Sequence, residues 1–135
     1  MAISVVTLCP QERVDEDEAA IRAIYDRLGP DPGAKLVTRA VGELALGVTV
    51  MAAQVDRREL AALPRSLRRM QGMAMGVGMV SLAQVARDAR LCLERGDTTA
   101  FAAVWARLVR VAERLTGHRA EAVAFGTEAP YLQRL

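Results

Sequence analysis

Residues 63–82 read LPRSLRRMQGMAMGVGMVSL, and the fold turns on how that stretch is read. Four methionines (Met70, Met73, Met75, Met79) and three glycines (Gly72, Gly76, Gly78) fall within ten residues. Arg65, Arg68 and Arg69 come just before them. Leu60, Leu63, Leu67, Met70 and Ala74 recur at helical spacing and mark an inward face. A glycine costs a helix interior about 1 kcal/mol relative to alanine. Three together predict a helix that approaches another surface closely, or one that ends here. Pro64 lacks a backbone N–H, so a helix opening at Arg57 is expected to kink there.

The same periodicity extends on both sides. Upstream, Asp15 to Glu18 open a first helix, where acidic side chains complement the helix dipole. Ile21, Ile24, Tyr25 and Leu28 are its apolar stripe, and Gly29-Pro30-Asp31-Pro32-Gly33 is expected to stop it. A second helix is predicted over 34–55, burying Leu36, Val37, Ala40, Val41, Leu44, Val48 and Met51. Its apolar stretch 44–55 suits a core helix. Asp56 is the expected N-cap of the third helix, which leaves almost no connection and makes the two antiparallel neighbours. Downstream, a fourth helix starts near Met79 or Ser81, with Leu82, Val85, Ala86, Ala89 and Leu93 facing in. Gly96 ends it, and Asp97 caps a fifth. The stripe of the fifth is Phe101, Val104, Trp105, Leu108, Val111, Ala112 and Leu115, with Trp105 largely buried and Gly117 as terminator. His118 to Phe125 form a last short turn.

Composition bounds the reading further. The 135 residues are 52% hydrophobic but only 4% aromatic, so the core is built from Ala, Leu, Val and Met. Such a composition favours close-packed helices over a sheet. The expected fold is all-α: an antiparallel four-helix bundle with an extra N-terminal capping helix. The expected layout is a leader at 1–13, one helical domain at 14–126 with its core over 34–116, and a tail at 127–135. A net charge of +2 gives little attraction to nucleic acid. Lys35 is the one lysine among 18 basic residues. Cys9 and Cys92 show no ligand spacing and are expected to be reduced thiols. There is no signal-peptide pattern and no run of about 18 uninterrupted apolar residues. A cytoplasmic protein with no membrane partner is the expectation.

From Arg68 onward the stretch resembles the active helix of histidine-containing phosphotransfer (HPt) domains. In that family the segment reads His-x-Leu-Lys-Gly, then a Gly six residues on, then a Leu after four more. Gly72, Gly78 and Leu82 keep that spacing, while Arg68 stands at the His, Met70 at the Leu and Gln71 at the Lys. The Glu94-Arg95-Gly96-Asp97 ending of the fourth helix is also similar to endings in that family. The resemblance implies the four-helix bundle and a docking surface for receiver or histidine-kinase domains of two-component signalling. Guanidinium is not a nucleophile at neutral pH, so the resemblance implies a pseudo-phosphotransfer protein that takes no phosphate.

Arg65, Arg68 and Gly72 share one side of the helix at i, i+3 and i+7. The candidate partner-binding set is Arg65, Arg68, Arg69, Gln71, Gly72, Met73, Met75 and Gly76, with Arg68 exposed in mid-helix. A bland reading of the arginines is a solvated face offset by Glu59 and Asp88. Met73 and Met75 cannot both point inward with Met70, and small residues at 72 and 76 let a second backbone approach. The alternative function is a self-associating module, with the Met/Gly face as a homodimer seam and no phosphorelay role. A third is an anion or nucleic-acid binder through the arginines, which needs a basic stripe across the fold. No nucleophile–base set, paired carboxylates, metal-ligand spacing or P-loop is present, so no enzyme, metal or cofactor is expected. His118 reads as a solvated histidine at a helix end.

Overall fold

The computed structural model describes residues 18–124, with side chains to residue 115. Its five helices are α1 (Glu18–Leu28), α2 (Pro30–Asp56), α3 (Leu63–Gly76), α4 (Val80–Glu94) and α5 (Thr98–Ala124). Every regular element among the described residues is helical. Helix α3 packs on α4, α4 on α5, α5 on α2 and α2 on α3, while α1 packs on α2. Four helices thus neighbour one another in a closed cycle, with the fifth against one of them. The leader, the tail, Cys9 and the acidic residues 15–17 lie outside the described residues.

The inward faces are largely those expected from spacing. Leu63, Leu67, Met70 and Ala74 of α3 meet Leu82, Val85, Ala86 and Ala89 of α4 in one core, joined by Phe101, Leu108, Val111, Ala112 and Leu115 of α5. Helix α1 enters that core through Ile24, and α2 through Val37, Ala40, Val41, Leu44 and Met51. Leu60 and Leu93 are half-buried against it.

Trp105 departs from the expectation of deep burial. It is half-buried at the core's edge, its ring stacked on that of Phe101 at 6.2 Å between centroids. Leu36 is 40% exposed rather than inward, and Val48 is half-buried.

The breaks between helices differ from the sequence reading at three places. Gly29, with φ 85°, is the whole connection between α1 and α2, and α2 begins at Pro30 rather than Ala34. Pro30 and Pro32 fall in the first turn of α2, where backbone N–H groups have no intrahelical acceptor and a proline costs nothing. Where the axis reverses, α1 and α2 touch closely: a Cβ on Gly33 would lie 2.6 Å from Tyr25 Cδ1.

Asp56 is the last residue of α2, not a cap for α3. Residues 57–62 form a real connection, and Pro64 lies in the first turn of α3 instead of kinking a longer helix. At the other end of the chain, α5 continues through Gly117 and His118 to Ala124. One glycine does not end a helix whose remaining turns are favourable.

Three helices end the same way. At α3, Met79 N–H donates to Ala74 O (2.8 Å) and Gly78 N–H to Met75 O (3.1 Å). At α4, Asp97 N–H donates to Cys92 O (3.0 Å) and Gly96 N–H to Leu93 O (3.1 Å). At α2, Glu59 N–H donates to Gln54 O (2.9 Å) and Arg58 N–H to Val55 O (3.0 Å). This paired bonding is the Schellman motif, which requires a left-handed residue after the helix. Gly78 (φ 76°) and Gly96 (φ 68°) supply it without strain, whereas at α2 the residue is Arg58 (φ 58°). Asp97 caps α5 as expected, accepting from Ala100 N–H at 3.0 Å.

Candidate docking surface on α3

With four inward positions fixed in α3, the other residues fall by helical geometry on three strips. Arg65 and Gly72 form an outer ridge, both exposed. Arg68, Gln71 and Met75 lie on the flank toward α4, and Ser66, Arg69, Met73 and Gly76 on the flank toward α2. The structure therefore brings all eight candidate residues onto one outward arc, but not onto one flat face.

On the α4 flank, Arg68 is exposed in mid-helix, its side chain 72% accessible. Arg68 Nη2 stands 4.0 Å from Glu94 Oε1, and Arg90 Nη1 donates to the same oxygen at 3.1 Å. Arg90 is the deeper cation, with its side chain 14% accessible, and its Nε is buried without a hydrogen-bond partner. Glu94 therefore serves mainly to compensate Arg90. Its hold on Arg68 is long and solvent-screened, worth little in stability. The expected compensating acids, Glu59 and Asp88, form no ion pair with Arg68; Glu94 takes that place. Met75, two turns along the same strip, is 53% exposed, while Gln71 is half-buried.

The two glycines of the arc differ from Gly78. Gly78 is required by the turn that ends α3. Gly72 and Gly76 have ordinary helical conformation, and a Cβ on either would meet nothing within 4 Å. The fold gains no packing from leaving these positions bare, yet Gly72, in the helix interior, costs about 1 kcal/mol relative to alanine. Bare backbone at that cost is useful where another molecule comes close.

On the α2 flank, Met73 is half-buried and packs against the core. It borders two shallow hollows between α2 and α3. One, of about 320 Å³, is lined by Leu46, Gly47, Val50, Ser66, Arg69 and Met73 among others. The other, of about 430 Å³, lies between Leu36, Arg39, Glu43, Met73 and Gly76. Met73 thus lines the groove together with Gly76, while Gly72 lies on the ridge beside it.

The described residues hold no cluster of three or more His, Cys, Asp or Glu side chains able to bind a metal ion. Cys92 is a half-buried free thiol. The side chain of His118 lies outside those described. Helix α2, 27 residues long, is the one helix among those described that is long and apolar enough to cross a membrane, by length and composition alone. Sequence reasoning missed its outer face, where Leu36, Leu46 and Val50 stand exposed. The signal was present: these three fall off the 37, 41, 44, 48, 51 register of the buried face. No family model matches the chain, and neither does any curated protein or solved structure.

Proposed function

We propose that the chain is an HPt-like pseudo-phosphotransfer protein, an antiparallel four-helix bundle of α2–α5 extended by α1. It binds a receiver or histidine-kinase domain of two-component signalling without accepting phosphate, acts in the cytoplasm and catalyses no reaction. The observation that carries the reading is the exposure of Arg68 in the middle of α3, one turn before the bare backbone of Gly72. In the register set by Gly72, Gly78 and Leu82, that is the place of the family's phospho-accepting histidine. The closed cycle of helix neighbours supports the bundle.

A receiver domain presents carboxylates around its phosphorylatable aspartate, and an exposed guanidinium is a fitting partner for them. Arg65 and Arg69 extend the positive surface from Arg68 across the ridge toward α2. The open space over Gly72 and Gly76 would admit a partner's backbone or side chain. No phosphoryl group is taken, because the side chain at the acceptor position has no nucleophilic lone pair at neutral pH.

The test pairs a phosphotransfer assay from a labelled receiver domain with a binding titration of the unlabelled one. The expected result is saturable binding with no stable label on the chain. Arg68→Glu and added salt should each weaken the binding, since the contact is electrostatic. Arg68→His combined with Gln71→Lys should gain some acceptance. Stable label on the unaltered chain sinks the pseudo-phosphotransfer reading. Failure to bind any receiver or kinase domain from the same cell sinks the docking role.

A further inference from the structure

Helix α2 carries a second surface, apart from the Arg65–Gly72 ridge. Pro32, Leu36, Arg39, Glu43, Leu46 and Val50 are all exposed. Steps of three and four residues return to one face at about 3.6 residues per turn, so the six form a single stripe. Leu46 is 64% exposed, Val50 51% and Leu36 40%. Isolated exposed apolar side chains are ordinary, but a row of them at the helical repeat is a surface that asks for a cover.

The order of residues along the stripe identifies the cover. Read from either end it runs apolar, apolar, charged, charged, apolar, apolar, with the two charges of opposite sign. Consider a second copy of α2 laid antiparallel across the first, with a two-fold axis at position 41. Leu36 then meets Leu46 of the second copy, Pro32 meets Val50, and Arg39 meets Glu43. Each contact occurs twice, as an isologous interface requires.

Moving the axis to position 39 or 43 would set Arg39 on Arg39 or Glu43 on Glu43. Like charges therefore reject the neighbouring registers. Within one chain Arg39 Nε already donates to Glu43 Oε1 at 3.3 Å, with the side chains 80% and 49% exposed. A guanidinium has five donors and a carboxylate two oxygens, so both keep capacity for the second copy.

We propose that the chain forms a two-fold homodimer through this stripe of α2, with the second copy lying over the α2–α3 groove. The row spans about 27 Å at about 1.5 Å per residue. A single helix pair of that length stands at the low end of stable interfaces, about 1,200 Å² in total. The dimer should accordingly dissociate on dilution.

Sedimentation and light scattering test this on the full chain. The expected mass is twice 14.6 kDa in concentrated protein, falling to 14.6 kDa on dilution. Arg39→Glu makes both central charges acidic, and Glu43→Arg makes both basic. Each variant alone should be monomeric with unchanged helical circular dichroism. An equal mixture of the two should restore the dimer mass, and the double exchange Arg39→Glu with Glu43→Arg should dimerise like the parent. A parent chain that stays monomeric at high concentration overturns the proposal. So does a dimer indifferent to both single reversals, which places the seam elsewhere. Monomeric protein that co-sediments with phosphatidylcholine or phosphatidylglycerol vesicles also overturns it, by assigning the stripe to a bilayer. None of these outcomes depends on receiver binding through α3.

Discussion

Helices α4 and α2 are both apolar, and they use their apolar residues differently. In α4, six of 15 residues are buried: Ser81, Leu82, Ala83, Val85, Ala86 and Ala89. It packs between α3 and α5, and its alanines let those neighbours close in. In α2 six residues are also buried, but out of 27. Val48 and Val55 add partial contacts to the core, but Leu36, Leu46 and Val50 stand exposed. An apolar residue in α4 thus contributes to folding, whereas one on the outer stripe of α2 is available to another molecule.

The sharpest way to break this contrast is a matched pair of substitutions. Leu82 is fully buried in α4 and Leu46 is 64% exposed on α2. Leu82→Ala should cost about 2–5 kcal/mol, through lost transfer energy and the cavity left behind. Leu46→Ala in dilute protein should stay within about 0.5 kcal/mol of the parent. Urea denaturation followed by circular dichroism measures both. Equal losses would show that α2 is as fully used inside the fold as α4.

A smaller effect comes from the helix ends. The α4 end places Gly96 in the left-handed conformation, and the α2 end places Arg58 there. A non-glycine residue pays roughly 1–2 kcal/mol for that conformation. Arg58→Gly should therefore raise stability by about 1 kcal/mol, less some loss to the greater freedom of the unfolded chain. A lower denaturation midpoint in this variant would mean that the Arg58 side chain holds the 57–62 connection by contacts that outweigh its strain.

A further small effect is expected on α3. Gly72→Ala has open space for its methyl group. It should stabilise the chain by about 0.5–1 kcal/mol, through helix propensity and a less free unfolded state. The same change should weaken binding of a receiver domain, so stability and docking move in opposite directions. Improved stability with unchanged binding would remove Gly72 from the docking surface.

Much of the fold was legible in the sequence because apolar side chains at steps of three and four report directly on the buried face of a helix. Leu63, Leu67, Met70 and Ala74 are the plainest case. Asp97 was readable as a cap because its short carboxylate suits a free N–H in the following turn. The prolines were misread because their effect depends on position. Inside a helix Pro64 would break a hydrogen bond, but in the first turn there is none to break. Arg58 in a left-handed conformation has no sequence signature.

The arc of α3 was legible for the same periodic reason. Glu94 as the partner of Arg68 was not, since that contact depends on how α3 and α4 lie side by side. The off-register positions of Leu36, Leu46 and Val50 were legible, but not that the rest of the chain would leave them bare. Hydropathy reports that a residue prefers burial, not whether the chain has enough surface to bury it.

The cycle of helix neighbours has a consequence for the order of assembly. α1 with α2, α2 with α3, α3 with α4, and α4 with α5 are each consecutive in the chain. Among the described residues, the pairing of α2 with α5 is the one extensive contact between elements far apart in sequence. Contacts between consecutive helices close short loops and form early, whereas a distant pairing must first overcome the entropy of a long loop. The helical hairpins should therefore form first, and the docking of α5 onto α2 should complete the domain. Until that step the part of α2 that α5 covers remains bare along with its outer stripe, and the chain exposes more apolar surface than the finished domain.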